Sequence, residues 1–142
     1  MRPYRKPRKY LWIMVILAVL LCGAALLSHT KNWIQIERDQ FKVTSGFYRN
    51  SIAFTELDSV VLVDSLPRKQ RKHGFTVRGR EKGVYQNLED STTVYVFLDR
   101  AEGPKVKLVY QDSLRLFVNY RDSLDTQALF ETIQLRLPQS VN

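Results

Sequence analysis

Polar and apolar positions divide the chain sharply. Leu11 to Leu27 (LWIMVILAVLLCGAALL) is a run of 17 residues without a charge or a proline. As a helix it rises about 26 Å, close to the roughly 30 Å hydrocarbon core of a bilayer. Behind it the pattern changes to alternation. Trp33, Ile34 and Ile36 lead into the charged stretch Glu37 to Asp39. Phe41 to Thr44 reads as a strand, Ser45-Gly46 as a turn, and Phe47 to Phe54 as the returning strand, with Ile52 and Phe54 on one face. Thr55 to Asp58 is turn-like. Ser59 to Leu66 (SVVLVDSL) is short, β-branched and stopped by Pro67.

Pro67 to Lys82 lacks that pattern. It has little apolar content and two glycines, and the spacing predicts a long connection with room for one poorly paired strand. Val84 to Leu88, Thr92 to Leu98, Lys105 to Tyr110 and Leu114 to Asn119 read as strands separated by turn chemistry. In Thr92 to Leu98 both alternating faces are partly apolar, as in a central strand. From Asp125 the period becomes helical: Leu129, Ile133 and Leu137 recur every fourth residue with Phe130 beside them, Asp125 as N-cap and Pro138 as the stop. The expectation is seven antiparallel strands and a final helix that closes one end of a curled sheet or barrel. The predicted organisation is a basic cytoplasmic tail over 1–10, a transmembrane helix over 11–28, a linker and strand lead-in over 29–39, a folded domain over 40–137 and a tail over 138–142.

Charge assigns the ends. Arg2, Arg5, Lys6, Arg8 and Lys9 precede the apolar run, with no acidic residue among them. Basic flanks stay cytoplasmic, which places the C-terminal domain on the extracytoplasmic side of a cell membrane, periplasmic or extracellular. Tyr10, Trp12 and Trp33 suit the two interfaces. A cleaved signal peptide, with Gly23 and Ala25 at the cleavage site, is the competing reading; the continuation of the run into Leu26 and Leu27 favours a retained anchor. Cys22 is preceded by Leu21 rather than by a small residue, which disfavours lipid attachment. As the sole cysteine it excludes an intramolecular disulfide.

With five of the 22 basic residues in that flank, the rest of the chain has 17 against 14 acidic residues. The high overall charge is therefore weak support for nucleic-acid binding, and no aromatic interleaving marks a stacking platform. The remaining concentration of charge is Arg68, Lys69, Arg71, Lys72, Arg78, Arg80 and Lys82. These residues are the candidate contact set for an anionic lipid, an acidic partner or an anionic polymer, against the plainer reading of a solvated loop. His29 and His73 stand alone, without metal-ligand spacing. No phosphate-binding glycine loop or nucleophile elbow is present, so the chain is expected to be non-enzymatic and to need no cofactor or metal.

Several runs resemble bacterial pleckstrin-homology-like domains that accompany transmembrane segments: Phe41 to Tyr48 (FKVTSGFY), Ile52 to Pro67 (IAFTELDSVVLVDSLP), His73-Gly74, Gly83 to Tyr85, Thr93 to Leu98 (TVYVFL) and the final helix. The resemblance covers about Gln40 to Leu137. It implies a mainly-β fold of the PH-like type, seven strands capped by a helix, and supplies no catalytic residues. Eukaryotic PH domains that bind inositol phosphates use basic residues in an early loop; here Thr44 to Tyr48 has neither lysine nor arginine. The function this implies is a single-pass membrane protein presenting the domain as an interaction module for a protein or the membrane surface. The alternative is an enzyme-accessory or cleaved secreted domain that binds an anionic ligand through residues 68–82.

Overall fold

The computed structural model describes residues 8–28 and 31–137. The apolar run lies within α1 (Arg8–Ser28), whose 21 residues rise about 31 Å. Its length and composition are sufficient to cross a membrane. None of its residues is buried. The Ser28 hydroxyl closes the last turn by donating to the Ala25 carbonyl at 2.7 Å. Arg2, Arg5, Lys6, His29 and the stop at Pro138 lie outside the described residues.

Two sheets and a helix follow. β1 (Asn32–Ile36), β2 (Gln40–Ser45) and β3 (Tyr48–Ala53) form an antiparallel three-stranded sheet. β1 was expected only as a lead-in, yet it pairs with β2 along its full length. A short 3-10 turn (Phe54–Glu56) leads to β4 (Leu57–Val63). Then come β5 (Lys69–Val77), β6 (Arg80–Asn87), β7 (Thr93–Leu98), β8 (Lys105–Tyr110) and β9 (Leu114–Asn119). Their order in the second sheet is β4-β8-β9-β7-β6-β5. The last element, α2 (Ser123–Gln134), places Leu129 and Ile133 in the core between the sheets.

Several expectations are corrected. Among the described residues nine strands form rather than seven, and β7 pairs with β9 in parallel. The chain leaves β7, runs back down as β8 and returns as β9, which inserts between the two. No strand's own pattern records that choice of neighbour. The sheet curls without closing into a barrel. The connection expected over Pro67 to Lys82 is instead β5 and the start of β6, a hairpin turned by Arg78 and Gly79. Both turn residues have positive φ, 50° and 76°, as a tight type I′ turn requires. β5 is an edge strand, where charged side chains prevent pairing with other chains, so its polar composition hid it. The helix cap is Asp122 rather than Asp125; its carboxylate accepts from the Leu124 N–H at 2.8 Å.

The curl can be argued from chain length. Residues 64–68 join β4 to β5, which lie at opposite edges of the sheet. Val63 is level with the β5–β6 turn, and Lys69 pairs with Asn87, six residues further down β6. Six peptide units reach at most about 21 Å, whereas a flat six-stranded sheet sets its edges about 24 Å apart. The two edges must therefore approach each other. Gly74 and Gly83 are paired in β5 and β6. A Cβ on Gly83 would lie 2.4 Å from the His73 carbonyl oxygen, so the two backbones pack closer than any side chain permits.

One face of the sheet meets β1–β3 and α2 over a core that includes Phe41, Val43, Ile52, Phe97, Leu108 and Leu116. Val60, Phe97 and Leu116 are buried in this core, and Leu62 and Tyr95 are half-buried against it. The concave face holds Tyr85, Val94, Val96, Leu98 and Phe117, covered by Val63 and Leu66.

Candidate functional site

The strands fix which loops share an end. Asn32 opposes Ser45, and Ser45 opposes Tyr48, so the start of β1 and the Gly46-Phe47 turn lie together. Thr76, Glu81, Leu98 and Asn119 are successive partners across β5, β6, β7 and β9. The β5–β6 turn, the β7–β8 loop and the residues after β9 therefore form the matching end of the second sheet.

Asn32 joins the two ends. Its backbone N–H donates to Asp99 Oδ2 at 2.9 Å, and its amide donates to the carbonyls of Phe97 and Asn119 at 2.5 and 2.9 Å. Its Oδ1 accepts from Ser45 at 2.5 Å and from Lys82 Nζ at 3.2 Å. Lys82 Nζ lies 3.0 Å from Asp99 Oδ1. That contact is ionic, without the alignment of a hydrogen bond, since Oδ1 has no directed donor. Lys82 is fully buried, and burial depresses its pKa more than Asp99 restores it. Asn32 begins four residues beyond the end of α1, so this end of the domain is the one nearest the helix terminus.

Two cavities open there. One is an apolar groove of about 540 Å³, lined by Leu26 of α1 and by Phe47, Tyr48, Gly74, Phe75, Val77 and Arg80. Phe47, at the β2–β3 turn, is 82% exposed, and Val77 is 55% exposed. Trp33 is also exposed, with Lys31 Nζ 4.0 Å above its ring. The other is a polar cleft of about 580 Å³ lined by Arg78, Arg80, Arg100 and Arg121, with Asp99 and Glu102. Arg80 borders both cavities.

The seven basic residues expected to act together are divided by the fold. Arg68 precedes β5 and Lys69 opens it, and neither lines the cleft that Arg78 borders beyond the strand's other end. Lys69 pairs with Glu81 at 2.8 Å and lies 4.8 Å from the Tyr85 ring centroid. The Arg71 guanidinium is 6.0 Å from the same ring and donates to Thr76 at 2.8 Å. Lys72 is the extra residue of a bulge and is exposed, as is Arg68. Lys82 is interior. Only Arg78 and Arg80 reach the cleft. Its other two arginines, Arg100 and Arg121, are isolated in sequence, and so are Phe47, Phe75 and Val77. Each is marked only by its place at a strand end.

His73 is a strand residue rather than a loop residue. Its ring stacks on Tyr48 with Nδ1 3.1 Å from the tyrosine oxygen. Among the described residues no cluster of histidine, cysteine, aspartate and glutamate suits a metal ion. The chain matches no family model, no curated protein and no solved structure.

Proposed function

We propose that the protein is a single-pass membrane protein whose β domain rests on the membrane surface and serves as an interaction module there. The observation that carries this reading is the apolar groove shared by Leu26 of the spanning helix and Phe47, Phe75 and Val77 of the domain. An exposed aromatic at a hairpin tip, beside Trp33 and Lys31, suits the interface between hydrocarbon and headgroups. The basic N-terminal flank supports a domain on the extracytoplasmic side. The PH-like resemblance stays a proposal. It is supported by two β layers with a C-terminal helix against the core, and the parallel β7–β9 pair departs from it.

The test uses the full chain with Cys22→Ala, reconstituted in phosphatidylcholine vesicles and labelled with a fluorophore at Phe47→Cys or at Ser113→Cys. Ser113 lies in the β8–β9 turn at the opposite end of the domain. Quenchers attached to the lipid should quench the label at 47 and leave the label at 113 bright. Equal quenching at both positions overturns the reading.

A further inference from the structure

We propose that the cleft formed by Arg78, Arg80, Arg100 and Arg121 holds the phosphate of an anionic phospholipid, with the acyl chains lying in the adjoining groove of Leu26, Phe47, Phe75 and Val77. The inference rests on the membrane-surface reading above and gives that surface a ligand class.

Charge is the first support. The arginines come from three separate connections, the β5–β6 turn, the β7–β8 loop and the segment after β9, and the fold brings them to one cleft. Among the described residues none of the four makes an ion pair. Asp99 lines the cleft, but its charge is matched by Lys82 and its Oδ2 is taken by the Asn32 N–H. Within the lining of the cleft four guanidiniums then face one uncommitted carboxylate, Glu102, while Arg121 also borders the neighbouring cavity that holds Asp122 and Asp125. Guanidinium groups present planar forks that fit phosphate oxygens two at a time, which favours a phosphate over a diffuse counterion.

The second support is juxtaposition. The cleft is polar, the groove is apolar, and Arg80 borders both. A free phosphate or an anionic polysaccharide uses the cleft and gains nothing from the groove. A phospholipid has a charged headgroup joined to apolar chains, and the two cavities meet in that arrangement. The groove includes Leu26, two residues before the end of the spanning helix, so it lies where a bilayer leaflet supplies such molecules.

The experiment is native mass spectrometry of the full chain in detergent, titrated with dioleoylphosphatidylglycerol or dioleoylphosphatidylcholine. The wild type should retain the anionic lipid preferentially. Each arginine near a charged lipid contributes about five-fold in affinity, so Arg78→Asn with Arg121→Gln should lower that preference about 25-fold. Asparagine keeps the left-handed turn at position 78, where φ is 50°. Arg68→Gln with Lys72→Gln, at exposed residues that line neither the cleft nor the groove, should leave the preference unchanged. Equal retention of both lipids by the wild type, or a preference indifferent to the cleft variant, overturns the proposal. Soluble glycerol phosphate that binds as tightly as the lipid also overturns it, in favour of a free phosphate ligand. Quenching at position 47 in neutral phosphatidylcholine vesicles reads the membrane seat without headgroup charge. A retained seat without anionic preference defeats this proposal alone, and a lost seat defeats the reading beneath it.

Discussion

Asp99→Asn removes the counter-charge of Lys82 while preserving shape and leaving an oxygen to accept from Asn32. At 3.0 Å and an effective dielectric constant near 20, the lost attraction is about 5 kcal/mol. The penalty has a ceiling, because the stranded ammonium can release its proton. At 1.36 kcal/mol per pH unit below the ordinary lysine value of about 10.4, that ceiling is about 4.6 kcal/mol at pH 7 and about 1.9 kcal/mol at pH 9. The sign follows from the direction of the shift. Burial already holds the folded-state pKa of Lys82 below its unfolded value, so its contribution to stability is largest above the unfolded pKa and falls as pH drops through the folded one. We therefore expect a loss of about 3 to 4.6 kcal/mol at pH 7, shrinking to no more than about 2 kcal/mol at pH 9. Pairing Asp99→Asn with Lys82→Met should bring stability back to within about 1.5 kcal/mol of wild type, since an uncharged pair of similar volume avoids the cost of desolvating either charge. The assay is urea unfolding of the full chain in detergent micelles, followed by near-ultraviolet circular dichroism. A loss below about 1 kcal/mol at pH 7, or an equal loss at both pH values, refutes the reasoning.

Three further outcomes follow from the same geometry. Gly83→Ala places a Cβ 2.4 Å from the His73 carbonyl oxygen, a backbone atom, and should cost at least about 1 to 3 kcal/mol in the same unfolding assay; a neutral effect would show that the hairpin opens freely. The Tyr110 hydroxyl is pushed up to about 12 by burial, against the donated hydrogen bond from Asn50. Its contribution is complete below pH 10 and is lost as pH rises through about 12, worth about 2.7 kcal/mol in all. Tyr110→Phe should flatten the alkaline decline of stability by that amount, with Tyr85 and Tyr120 accounting for the remainder; an unchanged decline counts against it. Asp122→Ala should cost about 1 kcal/mol and Asp125→Ala less than half of that, and the reverse ranking would return the helix cap to Asp125.

Elements whose patterns are set by their own burial were legible in the sequence. α1 is apolar from Leu11 to Leu27, β7 has two apolar faces because Phe97 joins the main core while Val94, Val96 and Leu98 join the cluster on the other face, and α2 buries Leu129 and Ile133 on one stripe. β5 was missed because an edge strand covered only in part keeps no alternation, and its glycines, read as breakers, are what let the hairpin close. The cap moved from Asp125 to Asp122 because both residues suit an N-terminus and only the backbone decides between them. The candidate site was legible only at Arg78 and Arg80. Arg100 and Arg121 acquire meaning from the parallel insertion of β9 beside β7, a long-range pairing that no local pattern encodes.

The buried polar network ties the start of β1 to both sheets. Three residues separate Ser28 from Asn32, so the link reaches little more than about 14 Å. Asn32 is held firmly within the domain, because every polar group of its side chain and its backbone N–H are bonded to Ser45, Lys82, Phe97, Asp99 and Asn119. Those partners belong to β2, β6, β7, β9 and the β7–β8 loop, so the first ordered residue of β1 is fixed to both sheets at once. The groove and the cleft are built on the ends of the same strands. A polar residue buried this deeply is costly unless every group is satisfied, and satisfying Asn32 requires those strand ends to be in register. The cost of burying Lys82 and Asp99 is therefore tied to a geometric result. β1 cannot pack without also bringing the arginine cleft and the apolar groove to the end of the domain where β1 begins.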